Sequence, residues 1–116
     1  MSIRKVSRSD WFSFCEYTSA AMTGKHAEVE LASRRLGSQV VAHGLPLLGI
    51  VYDRRSDVLE IVLEGLDHMV HRPREIYVDE PPFGPVSIGV TDAGGALQII
   101  TLRDPPMLPA WAEDRG

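Results

Sequence analysis

A single cysteine, Cys15, stands in the whole chain. An intrachain disulfide is therefore excluded, and a reducing compartment fits such a composition best. No stretch approaches the roughly 20 apolar residues that cross a bilayer. The opening Met1-Ser2-Ile3-Arg4-Lys5-Val6 is not followed by the apolar core of a secretion signal. A cytoplasmic protein with no membrane partner is expected. Positive charge is in deficit, with 12 Lys and Arg against 16 Asp and Glu and a net charge of -4. The basic residues are scattered along the sequence, whereas a phosphate-binding face gathers them, so nucleic acid is disfavoured. Only two of them are lysine, and asparagine is absent, a bias typical of GC-rich bacterial coding sequence. Chemical motifs are missing too. No serine sits in a Gly-x-Ser-x-Gly elbow, and Gly94-Gly95 lacks the Lys and following helix of a phosphate loop. No catalytic residue, cofactor or metal is implied, and whether the chain is an enzyme is left open, with a non-enzymatic role preferred.

What is present suits one domain. At 116 residues there is no room for two independent cores, and 44% hydrophobic with 24% charged residues is a globular composition. Residues 1–104 are expected to form a single α+β domain, followed by a Pro-rich tail over 105–116. The first element is a helix. Ser7 suits its N-cap with Asp10 three residues on, and Val6 and Trp11 have the spacing of a hydrophobic staple. Trp11, Phe14, Cys15, Thr18, Ala21 and Met22 share one helical face, and Gly24 supplies the stop.

After Lys25 the period shortens to two. Ala27, Val29 and Leu31 alternate with His26, Glu28 and Glu30, and Ala32 to Ser38 reads as a turn. Gln39 to His43 and Leu45 to Asp53 read as one long strand bent at Gly44 and Pro46. The turn Asp53-Arg54-Arg55-Ser56-Asp57 leads into Val58 to Glu64, and Gly65 separates this from Asp67 to His71. Ile76 to Asp79 is a short strand and Glu80 to Pro85 a loop. Val86 to Thr91 and Ala96 to Leu102 form a hairpin about Asp92-Ala93-Gly94-Gly95. The expected fold is an N-terminal amphipathic helix followed by a six- or seven-stranded, mostly antiparallel, strongly bent sheet or small barrel.

The densest cluster of chemically active side chains is Asp67, His68, His71, Arg72, Arg74 and Glu75, a candidate surface for a ligand or partner. Pro73 is expected to hold Arg72 extended, so that Arg72 and Arg74 can grip a carboxylate or phosphate. The alternative is a surface network in which they pair with Glu75, Asp79 or Glu80. His68 and His71 could share a metal only if the strand ends or bulges between them, since a separation of three puts them on opposite faces. Cys15 lies on the apolar helix face as a small hydrophobe. Asp53 and Asp57 are turn formers; Arg54 and Arg55 between them would repel a calcium ion. Tyr52, Tyr77 and Trp111 could form an aromatic patch, although strand aromatics are usually core or cross-strand partners.

The Trp11 helix, Leu45-Pro46-Leu47-Leu48-Gly49-Ile50, Tyr52-Asp53, the segments Leu66-Asp67-His68 and Pro73-Arg74-Glu75-Ile76, and Gln98-Ile99-Ile100-Thr101-Leu102-Arg103 together resemble a family of small bacterial proteins catalogued as a domain of unknown function. The resemblance covers nearly the whole chain and implies a bacterial, cytoplasmic, stand-alone domain. It carries no functional residues with it. A looser fold analogy is to Sm-like RNA-binding barrels. Three functions are thus expected in descending order. The first is a non-enzymatic binding or protein-interaction module, self-association included, with Met107, Leu108 and Trp111 of the tail as contact residues. The second is a metal- or anion-binding enzyme using His68 to Glu75. The third is Sm-like RNA binding, which needs Arg34, Arg35, Arg54, Arg55, Arg72 and Arg74 to share a face.

Overall fold

The structure, a computed structural model, describes residues 3–106. Its elements are β1 (Ile3–Val6), a 3-10 turn at Arg8–Asp10, α1 (Trp11–Met22), β2 (His26–Ser33), β3 (Gly37–Asp53), β4 (Val58–Leu63), β5 (Leu66–His71), β6 (Pro73–Asp79), β7 (Val86–Asp92) and β8 (Leu97–Arg103). All strand pairs are antiparallel, in the order β1-β6-β7-β8-β2-β3-β4-β5. The α+β class is as expected. The strand number is eight rather than six or seven, and the sheet is open rather than a barrel. The strand that the sequence did not announce, β1, accounts for much of this. It occupies one edge of β6 while β7 occupies the other. β5 runs into β6 through Arg72 and cannot pair with it, so no closure follows.

The bend that folds the sheet over its own core lies in β3. Residues 37–46 pair with β2 and residues 47–53 with β4. Gly44, at φ +68, and Pro46 sit at the changeover, as their backbone preferences require. Leu47 leaves β2 by bonding the helix exit instead: its N–H donates to Lys25 O at 2.8 Å, and its carbonyl accepts from Gly24 N at 2.9 Å. Beyond this point that edge of β3 has no strand beside it among the described residues. Helix α1 fills the place. The Ser19 hydroxyl donates to Ile50 O at 2.9 Å and accepts from Ile50 N at 2.8 Å, so one side chain satisfies both backbone groups.

Trp11, Phe14, Cys15 and Thr18 face the sheet, as the helical period demanded, whereas Ala21 is exposed. The N-cap expectation is corrected. Ser7 precedes the 3-10 turn, its hydroxyl caps nothing, and α1 starts only at Trp11. Val6 and Trp11 do meet, with Trp11 Nε1 donating to Val6 O at 3.1 Å. The expected turn at Ala32 to Ser38 shrinks to Arg34 to Leu36, because Ser33 and Gly37 still pair. β6 begins at Pro73 rather than Ile76. The core is built from the alternating inward residues, among them Leu47, Ile61, Leu63, Ile76, Val90 and Ile100. Among the described residues no helix is long and apolar enough to cross a membrane. Met107, Leu108 and Trp111 lie outside the described residues.

Candidate functional site

One end of the molecule is laced together by polar groups from four distant segments. Arg8 stacks over the Trp11 ring, its guanidinium carbon 4.5 Å from the ring centre. It donates to Asp57 Oδ1 at 3.1 Å, with longer contacts of 3.4 Å to Tyr52 Oη and Pro73 O. Tyr52 Oη donates to the same Asp57 oxygen at 2.7 Å, and its ring meets Trp11 edge-on at 5.2 Å. Burial, followed by the hydrogen bond to the Asp57 carboxylate, raises the Tyr52 phenol above its ordinary acidity range. Asp57 takes φ +55 and Arg72 φ +51, in the left-handed region that costs non-glycine residues energy. The pair is held by backbone bonds: Arg72 N donates to Asp57 O at 2.8 Å, and Arg72 O accepts from Ala93 N at 2.9 Å. Arg72 is thus not extended as Pro73 suggested. The two hydrogen bonds override the local preference.

The same lacing joins the turns that carry six arginines. The β3–β4 turn carries Arg54 and Arg55 and, with Phe12 and Tyr52, lines a shallow depression of about 410 Å³. The β2–β3 turn carries Arg34 and Arg35 and lines a second, of about 690 Å³, with Gly94 and Gly95 of the β7–β8 turn. That turn is the one bonded to Arg72. Arg74 follows at a register shift between Pro73 and Glu75, a bulge that leaves it outside the ladder. All six arginines are exposed, and none of them forms an ion pair among the described residues. Basic residues scattered in sequence thus stand on turns that adjoin one another.

The carboxylates of this end are already engaged. Asp53 Oδ1 accepts from Arg55 N at 2.9 Å, and this backbone bond leads the causes that hold its carboxyl below the usual range. Asp92 Oδ1 accepts from Gly94 N at 2.9 Å and Ala96 N at 3.0 Å. Asp57 is taken by Tyr52 and Arg8. Glu75 does not pair with Arg72 or Arg74; it binds Lys5 at 3.0 Å, which lowers its pKa. Glu80 binds Arg4 at 3.2 Å.

The remaining candidates are dispersed. Asp67 and His71 stand on the outer face of β5, whereas His68 turns inward opposite Ile61. His68 and His71 therefore point to opposite sides of one uninterrupted strand. The strand neither ends nor bulges between them, so the condition for a shared metal is not met, and among the described residues no group of three His, Cys, Asp or Glu side chains assembles elsewhere. His68 Nε2 is buried without a hydrogen-bond partner among the described residues, and burial lowers its pKa against the opposing effect of neighbouring Gln98. Gln98 spends its own amide on Val90 O at 3.1 Å. Burial pushes the Cys15 thiol up to about 12, so it is held protonated. Sequence reasoning did not find Arg8, because its partners lie 44, 49 and 65 residues away.

Comparison with known proteins adds kinship without chemistry. The chain is 30% identical over 110 residues to an uncharacterized protein of Aquifex aeolicus (strain VF5), covering 94% of this chain and 99% of the relative. No solved structure matches it. A model of a family of unknown function, DUF5335, matches residues 2–111, and the chain belongs to that family.

Proposed function

We propose that this protein is a non-enzymatic interaction module whose arginine-bearing end docks an acidic segment of a partner protein. One observation carries the reading: Arg34, Arg35, Arg54, Arg55, Arg72 and Arg74 stand exposed on turns that adjoin one another, without ion-pair partners among the described residues, in a chain whose net charge is negative. Exposed guanidiniums repel one another unless an anion intervenes, and each offers a planar fork of donors suited to carboxylates. The aspartates that could neutralise them are turned into the turns that carry them. Arg72 and Arg74 belong to the surface expected from sequence; Arg34, Arg35, Arg54 and Arg55 extend it.

Protein is preferred over nucleic acid because base stacking needs aromatic platforms. Phe12 is the exposed aromatic in the depressions that hold the arginines. The test is fluorescence anisotropy of a labelled deca-glutamate peptide at low salt. Saturable binding should weaken about tenfold when Arg34 and Arg35, or Arg54 and Arg55, are changed to Ser, the loss of about 1.4 kcal/mol. Arg103→Ser should leave it unchanged. No binding by the native chain, or equal effects of all three variants, would discard the proposal. Tighter retention of a single-stranded oligonucleotide than of the peptide would shift the function to RNA binding.

A further inference from the structure

We infer that β5 is the self-pairing edge of this protein, joining a second copy antiparallel across a two-fold axis at Met69. Two of the other strand edges are closed, whereas residues 37–45 of β3 pair with β2 alone among the described residues. β1 is four residues long and carries Arg4 and Lys5, both in ion pairs, a common protection against edge pairing. The free edge of β3 is filled by α1 through Ser19. β5 has none of these defences: it holds no Pro, no Lys and no bulge, and runs in unbroken register along β4.

The direction of its backbone groups follows from the neighbouring strands. Ile50 turns its N–H and C=O away from β4, toward Ser19. Ile61, opposite Ile50, therefore directs its own toward β5, and its partner there is His68. Backbone groups alternate along a strand, so Asp67, Met69 and His71 direct theirs outward. None of the three has another backbone partner among the described residues.

Their side chains share the exposed outer face. If Met69 sits opposite its mate in the second copy, Asp67 falls opposite His71 of that copy, and His71 opposite Asp67. The strand is complementary to itself, with carboxylate against imidazole twice and thioether against thioether at the axis. Centring the pair on Asp67 instead would set carboxylate against carboxylate. This match of carboxylate with imidazole selects a second copy over a foreign strand. A pair of six-residue strands falls short of the surface that permanent dimers bury, so the association is concentration-dependent.

Sedimentation equilibrium from about 10 μM to about 1 mM tests the inference, this being the range of weak association. The native chain should shift from monomer toward dimer. Asp67→His and His71→Asp should each weaken the dimer about fivefold, two cross-strand pairs being lost. The double variant, which exchanges the residues, should return to within about twofold of the native value. Met69→Pro should stay monomeric with an unchanged far-ultraviolet spectrum, since the N–H it removes points out of the sheet. A native chain monomeric throughout overturns the inference and leaves the edge to a foreign strand. A dimer indifferent to Met69→Pro overturns it as well.

Discussion

His68 combines three properties that rarely coexist on a strand: it is ionisable, largely shielded, and has a buried ring nitrogen without a partner among the described residues. Burial lowers its pKa in the folded chain below the ordinary 6.5. Between those two values the unfolded chain binds more protons, so stability increases with pH across that window and is complete above 6.5. Acidification should therefore destabilise the protein as pH falls below 6.5, in addition to whatever its carboxylates contribute. Urea midpoints measured from pH 7.5 to pH 5 should decline more steeply for the native chain than for His68→Leu. Parallel declines would show that the imidazole is not the group responsible. Arg72 illustrates the opposite relation between sequence and structure. A proline after it argues for extended backbone, yet it adopts φ +51 because Asp57 O and Ala93 N hold its backbone from two other turns. Local rules describe a dipeptide; they do not include partners brought in by the fold.

Elements with a strong period were legible in the sequence. The strands β4, β7 and β8 alternate so regularly that Leu59, Ile61, Leu63, Ile88, Val90, Ile100 and Leu102 all reach the core. The bent β3 was legible as well, through Gly44 and Pro46. β1 was not, since only Val6 of its four residues is buried and no period can be read from one position. Closure was illegible for the same reason, because it depends on which strand takes the edge of β6. The seam between α1 and β3 was also hidden, for it rests on Ser19, an ordinary helix residue by sequence. Removing that hydroxyl leaves the Ile50 N–H and C=O without their partner beneath the helix. Ser19→Ala should cost about 1–3 kcal/mol, the penalty for stranded polar groups at a partly buried site. Equilibrium unfolding in urea measures it. A loss within error would mean that the helix is held on the strand by its apolar face alone.

At the scale of the whole molecule the charges are unevenly divided. The net charge is negative, yet Arg34, Arg35, Arg54, Arg55, Arg72 and Arg74 share one end, while Glu28, Glu30, Glu60 and Asp67 lie along the strands. Like charge reaches even a single pair there: hydrogen bonding between Glu60 and Asp67 raises the Glu60 pKa. Arg72 and Arg74 stood out because they lie beside the histidines in sequence, whereas the other four lie in unrelated turns and entered only as a condition for RNA binding. Holding guanidiniums together without anions works against folding, so the free protein should be more stable when some are removed. Each exposed like-charge contact contributes a few tenths of a kcal/mol and is screened by salt. The variant with Arg34 and Arg35 both changed to Ser should therefore melt slightly higher than the native chain at low ionic strength. The gap should close as sodium chloride approaches about 0.5 M, where the Debye length falls to only a few ångströms. The same variant binds the acidic peptide less well if the proposed docking holds, giving stability and binding opposite signs, as expected where a surface is kept charged for a partner. A variant that melts lower than the native chain at every salt concentration would mean that these arginines stabilise the free fold, and the case for an anionic partner at this end would lose its physical basis.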